Sequence, residues 1–245
     1  MAAVGFIFAI LIGVSLGLLG GGGSTLTIPV LHYAFGLEVH DAIASSLIVV
    51  AATGAIAVLP HARAGSVRWR HGATFGVASM ATSFVGGRLG ALVPGIVLIV
   101  AFAAVMMVSG LAMLLRSRTM PTPGARRPGW MVVLGGGVGV LTGFLGAGGG
   151  FLIVPALTIA GGLGMREAVA TSLFVITLNA LAGLAGTVAH ATIDIPLTAA
   201  VTAIAIAGSL VGARLGRRMP AASLQRVFGW FVIVLATLVL VAELT

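Results

Sequence analysis

The chain has 245 residues, 59% hydrophobic and only 7% charged, too few polar side chains to cover a water-soluble globule. It contains no cysteine, which excludes disulfides, a thiol nucleophile and cysteine-ligated metal. All 13 basic residues are arginine, giving a net charge of +8, and they lie in short loops between apolar runs, a membrane-loop pattern that argues against nucleic-acid binding.

Apolar segments are predicted at about 4–37, 42–60, 72–93, 95–115, 130–162, 168–189, 195–215 and 222–244, four and four. The run Ala2 to Leu19 lacks a basic lead-in and a cleavage site, so it is expected to stay as a membrane segment. The first and fifth segments carry the same break. Gly17 to Leu31 reads GLLGGGGSTLTIPVL, and 126 positions later Gly143 to Leu157 reads GFLGAGGGFLIVPAL. Four glycines unwind a helix and bare its N–H and C=O groups, which hydrocarbon does not tolerate, so those groups must face a cavity. The halves align further: Ala42, Ala44, Ser46 and Leu47 with Ala168, Ala170, Ser172 and Leu173, and Gly86, Arg88, Leu89, Gly90 and Pro94 with Gly212, Arg214, Leu215, Gly216 and Pro220. The chain therefore reads as an N-terminal repeat (1–115), a cytoplasmic linker (116–128) and a C-terminal repeat (129–245).

As one helix the first segment would be about 50 Å long, against a hydrocarbon core of about 30 Å. Broken at the glycines it gives two pieces, each short of a crossing, which predicts a re-entrant hairpin. If each hairpin enters and leaves on one side, loops 61–71, 116–127, 161–167 and 214–226 share a compartment and collect every arginine except Arg88. Such a split marks the cytoplasmic face. The expected fold class is an all-α polytopic membrane protein of two inverted-topology repeats, each a glycine-broken re-entrant hairpin plus three transmembrane helices, with both termini periplasmic. Its expected motion rocks the hairpins and the helices starting at 42 and 168 against the other four.

Paired, glycine-broken apolar segments at matching positions of two halves point to a transporter's binding site. Half-helix N-termini aimed into the membrane suit a small oxyanion. The candidate substrate-binding residues are Gly20, Gly21, Gly22, Gly23, Ser24 and Thr25 at the first break and Gly146, Ala147, Gly148, Gly149 and Gly150 at the second. Ser24 is expected to cap its half-helix, with Pro29 in the opening turns. Ser46, Thr53, Ser172, Thr177 and Asn179, on the helices beginning at Ala42 and Ala168, add hydroxyls and an amide. The alternative is close helix packing by the glycines and ordinary interhelical hydrogen bonding by the polar groups. His61 and His190 end the same helix in both copies, as coupling groups or as interfacial histidines. Arg88 and Arg214, each in G-x-R-x-G, are gating candidates or snorkelling anchors beside a small-residue seam. Arg166 with Glu167, and His40 with Asp41, read as helix-start caps. No metal cluster, cofactor motif or catalytic constellation is present in the sequence, so no enzyme is expected.

The doubled G-x-x-G-x-G-G with its trailing proline, the Ala-x-Ala-[ST]-Ser-Leu helix starts at Ala42 and Ala168, and the G-x-R-x-G pair resemble the TauE/SafE sulfite-exporter family, also called the toluene-sulfonate uptake permeases. The resemblance implies a bacterial or archaeal cytoplasmic-membrane transporter, commonly an exporter, of sulfite, organosulfonates or related sulfur oxyanions. Its implied partners are a small anionic substrate and the lipid bilayer; a homodimer stays open. The rival readings are a passive anion channel and a membrane scaffold. A cation carrier is disfavoured because every acid lies near a helix end.

Overall fold

The computed structural model describes residues 2–90, 95–115, 128–144, 150–187 and 192–244, and every regular element among them is helical. In chain order they are α1 (Ala2–Leu19), α2 (Gly22–Pro29) running into a wider π-type turn (Val30–Ala34), α3 (Val39–Arg63), α4 (Trp69–Gly90) and α5 (Gly95–Leu115). Then come α6 (Pro128–Phe144), α7 (Gly150–Pro155) with its π-type turn (Ala156–Ala160), α8 (Met165–Thr187), α9 (Ile195–Arg218) and α10 (Ala221–Leu244). Ala2, Val30, Val39, Trp69 and Gly95 each open an element whose counterpart opens 126 residues later. Several helices start about three residues before the apolar windows do. Val39, His40 and Asp41 form the first turn of α3, and Trp69, Arg70 and His71 that of α4, where polar side chains hide helix from a hydropathy count.

The first segment folds back on itself, as expected of a hairpin. Gly20 holds the left-handed backbone (φ +77°) at the bend. Beyond it Gly23 packs on the backbone of Ile12 and Leu16, and Phe35 returns to Phe6, ring centroids 5.4 Å apart and edge to face. The fifth segment does the same, with Trp130 Nε1 donating to the Ala160 carbonyl at 2.9 Å. Pro29 is not in an opening turn. It is the eighth and last residue of α2, where its ring removes the donor to the Thr25 carbonyl and the chain widens into the π-type turn; Pro155 stands at the same place before Ala156.

Packing runs between the halves. α1 lies parallel to α9, with Gly13 on Ala205, Gly17 on Ser209, and Gly212 and Gly216 against Val14 and Leu18. α6 lies likewise on α4, Gly135 meeting Phe75 and Gly139 meeting Ser79. The small-residue seam expected beside Arg214 is thus real, and its partner is α1. Equivalent helices pair antiparallel. Gly54 of α3 faces Thr177 while Leu47 faces Gly183 on α8, and Gly110 of α5 faces Ile233 while Leu114 faces Gly229 on α10. α3 and α8 are the most enclosed of the long apolar helices, α9 and α10 the least. Phe75, Met106, Met113, Met131, Phe151 and Phe228 fill the core. Val227, Trp230, Val234, Leu238 and Val241 form an outward apolar stripe on α10, as a lipid-facing helix requires.

Four helical stretches, Asp41–Arg63, Met165–Ala185, Ile195–Arg218 and Ala221–Val241, are long and apolar enough to cross a membrane. The protein is a polytopic helical membrane protein. Its first-turn acids tie the halves at both ends. Glu167 takes Arg68 of the α3–α4 loop through Nε and Nη2 (3.0 and 2.5 Å), and also accepts from the Gly164 N–H at 3.4 Å. Asp41, 126 residues earlier, accepts from the Thr192 N–H in the α8–α9 connection at 2.8 Å. Arg166 does not pair with Glu167; its guanidinium donates to the Met219 carbonyl at 2.9 Å. Three of the arginine-bearing loops are thereby gathered at one end.

Candidate functional site

The first bend meets the start of α7 inside the molecule. α2 begins beside Gly21, and a Cβ on Gly21 would fall within the Gly150 carbonyl group, while one on Gly150 would strike the Gly21 carbonyl and the Ser24 hydroxyl. Only glycine lets the two chains cross at this separation. Gly20 sits against the Ser172 hydroxyl and the Val169 carbonyl on α8, Gly22 against the Phe231 ring, and Gly23 within its own hairpin. Gly20 to Ser24 and Gly150 are all buried. Gly146, Ala147, Gly148 and Gly149 lie outside the described residues, as does His190.

Ser24 does not cap α2. Gly21 occupies the N-cap without a side-chain bond, and the Ser24 hydroxyl, one turn in, donates back to the Gly21 carbonyl at 2.9 Å. The helix starts earlier than a serine cap requires because Gly22 and Gly23 already hold helical geometry once packed. Thr25, the next residue, keeps a buried hydroxyl without a partner among the described residues.

On α3 and α8 the candidates divide. Ser46 donates to the Ile43 carbonyl (2.7 Å), Ser172 to Val169 (2.8 Å) and Thr177 to Leu173 (2.8 Å), each satisfied along its own helix. Asn179 Oδ1 accepts from Ser79 on α4 at 3.1 Å. Sequence reading missed Ser79, whose signal is its place on the small face Gly72, Gly76, Ser79 that packs on α8. Thr53 occupies the position 126 residues before Asn179, and Ala205 the one 126 after Ser79. Thr53 is 1% exposed and its hydroxyl has no partner among the described residues.

The same asymmetry recurs. Ser45 is fully buried and without a partner among the described residues, whereas its counterpart Thr171 accepts the Arg68 N–H at 3.1 Å. Thr198, also buried and without a partner among the described residues, lies on the α9 face of Val201 and Ala205, which packs with Ala42 and Val49 on the Ser45 face of α3. The counterpart of Thr25 is Phe151, edge to face with Phe102 at 5.2 Å. Among the described residues, unpartnered hydroxyls therefore stand on α2, α3 and α9, with Ser109 on α5; of their counterparts Phe151 is an aromatic ring, Thr171 and Asn179 are bonded, and Gly72 and Leu235 carry no hydroxyl. Hydroxyls left unbonded in an apolar interior are costly, about 1–3 kcal/mol each, and suit the oxygens of an anion.

His61 lies in the last turn of α3, 5% exposed, one turn beyond Ala57 and Val58, which pack with Leu16 of α1; its Nε2 has no partner among the described residues. Arg214 is exposed on α9, and Arg88 lies in α4.

The sulfite exporter TauE/SafE family model matches residues 5–239. A probable membrane transporter protein of Xylella fastidiosa (strain 9a5c) is 34% identical over 238 residues, covering 94% of this chain and 91% of the relative. The probable membrane transporter protein YdhB of Bacillus subtilis is 28% identical over 216 residues, 86% of this chain and 88% of that protein. A probable membrane transporter protein of Methanocaldococcus jannaschii is 28% identical over 188 residues, 74% and 68% of the two chains. No solved structure matches the chain. With its glycine-broken hairpins and a family match along nearly its whole length, the chain belongs to the TauE/SafE sulfite exporter family of membrane transporters.

Proposed function

We propose that the protein is a secondary transporter that exports a small sulfur oxyanion, sulfite or an organosulfonate, across the cytoplasmic membrane by alternating access between two repeats of opposite orientation. The observation that carries this reading is the crossing of the first bend, at Gly21, with the start of α7, at Gly150, buried in the interior near the Thr25 hydroxyl, which has no partner among the described residues. Opposite orientation is supported by the antiparallel pairing of α3 with α8 and of α5 with α10, each helix beside its own 126-residue counterpart. The arginine-rich end is then the cytoplasmic face.

Contact of backbone with backbone at the crossing leaves no standing pore there, which favours a carrier over a passive channel. Cargo passes only if the crossing parts. The glycine seams bind α1 to α9 and α6 to α4, so α1 travels with α9 and α6 with α4, a different division from hairpins moving against those helices. Outward movement of an anion is favoured by an inside-negative potential, about 2.3 kcal/mol per charge per 100 mV.

The test is flux in proteoliposomes. Radiolabelled sulfite should exchange against internal sulfite and saturate, and Gly22→Leu with Gly148→Leu should abolish exchange in protein that still inserts. Flux that never saturates and shows no exchange would make the protein a channel; absence of any sulfur-oxyanion flux would sink the reading.

A further inference from the structure

We propose that His61 and Arg217 form a proton-linked loading site for an oxyanion on the arginine-rich side of the first bend, an inference that rests on the transport function above. His61 shares a helix face with Ala57 and Val58, which are buried together with Leu16, Val67, Ala170 and Leu173. The imidazole is thus held in an apolar collar. Nε2, buried with no partner among the described residues, is the ring atom open to a proton. Left in this state a buried polar nitrogen is costly, which marks a place where a partner arrives.

The partner's chemistry follows from the charges around it. α1 carries no titratable side chain. On α3 Arg63 is exposed; on α8 Arg166 is exposed and Glu167 is taken by Arg68; α9 brings Arg217, next to Gly216, which packs on Leu18 at the same end of α1, and the exposed Arg218. No carboxylate is therefore free to balance a charged imidazole there. A proton on Nε2 alone would face Arg217, two cations together. An oxyanion alone would meet the Nε2 lone pair. Bound together, the anion lies between two donors, the imidazolium Nε2–H and the guanidinium, and each guest removes the penalty of the other. Proton and anion arrive as a pair and leave as a pair.

The site exists at one end only. The positions 126 residues from His61 and Arg217 hold Thr187 and Ala91, which supply neither group. Loading is consequently built for the arginine-rich face, and release on the other side meets no matching trap.

The probe is sulfate, which stays doubly charged from about pH 5.5 to about pH 8, so any pH dependence belongs to the protein. Binding is read as ligand-induced thermal stabilisation of the purified protein. For wild type the apparent affinity should strengthen about tenfold per unit as pH falls through the imidazole range. His61→Gln should bind weakly with no slope, and Arg217→Gln, a change at an exposed side chain, should bind more weakly at every pH while keeping the slope. A wild type without slope, a His61→Gln protein with the wild-type slope, an Arg217→Gln protein with unchanged affinity, or no sulfate binding at all would each overturn the site. Should His61→Gln not fold, Arg217→Gln decides alone. Wild-type protein that exchanges sulfite yet fails these criteria sinks this inference and leaves the transport reading standing; protein that moves no sulfur oxyanion sinks the transport reading.

Discussion

Each glycine at a bend answers a different neighbour, and substitution separates them. Gly21 faces the Gly150 carbonyl with no room for a methyl group, whereas Gly137, on α6, has nothing within 4 Å of where a Cβ would stand. Gly21→Ala should destabilise by about 1–3 kcal/mol or more, since rigid backbone cannot yield as a side chain can. Gly137→Ala should be neutral or stabilising by up to about 1 kcal/mol. Melting temperatures in detergent check both, and equal effects would mean that the crossing does not need its glycines. At this scale the sequence located the close-packed glycines and misassigned some chemistry beside them. Ser24 looked like a cap because a hydroxyl followed glycines, but the start of α2 is set by packing against another part of the chain. Asn179 supplies the one amide among the candidates, yet its partner Ser79 lies 100 positions away and no local pattern announces it.

Among elements, the hairpins were legible because a 34-residue apolar segment cannot be one crossing, and the recurrence at 126 residues was legible because both breaks carry glycine and proline. The π-type turns were not. They arise where Pro29 and Pro155 remove a helical donor, and the choice between ending and widening depends on tertiary packing. Equally hidden were the ties between halves, in which Glu167 holds Arg68 across 99 positions. With Arg68 53% and Glu167 32% exposed, this bridge is screened by solvent. Glu167→Gln should therefore cost no more than about 1 kcal/mol, less in high salt, and the exchanged pair Arg68→Glu with Glu167→Arg should recover most of it. Thermal unfolding at low and high ionic strength measures the difference; a loss well beyond 1 kcal/mol would assign Glu167 a weightier role, beginning with its bond to Gly164.

For the whole molecule, the arrangement of repeats predicts which loops face out. In intact cells an impermeant thiol reagent should label a cysteine placed at Thr192, beside Asp41, and leave cysteines at Ser66 and Ser223 untouched until the membrane is permeabilised. Label at Ser223 from outside would refute the opposed orientation. The absence of native cysteine makes the measurement clean. The seams carry a consequence for assembly. Because α1 beds into α9 and α6 into α4, each half lends its leading arm to the other, as two clasped hands do. Neither can complete its own interior during synthesis, so the early-made half must wait in the bilayer, its glycine stripe bare, until the ribosome delivers the late one.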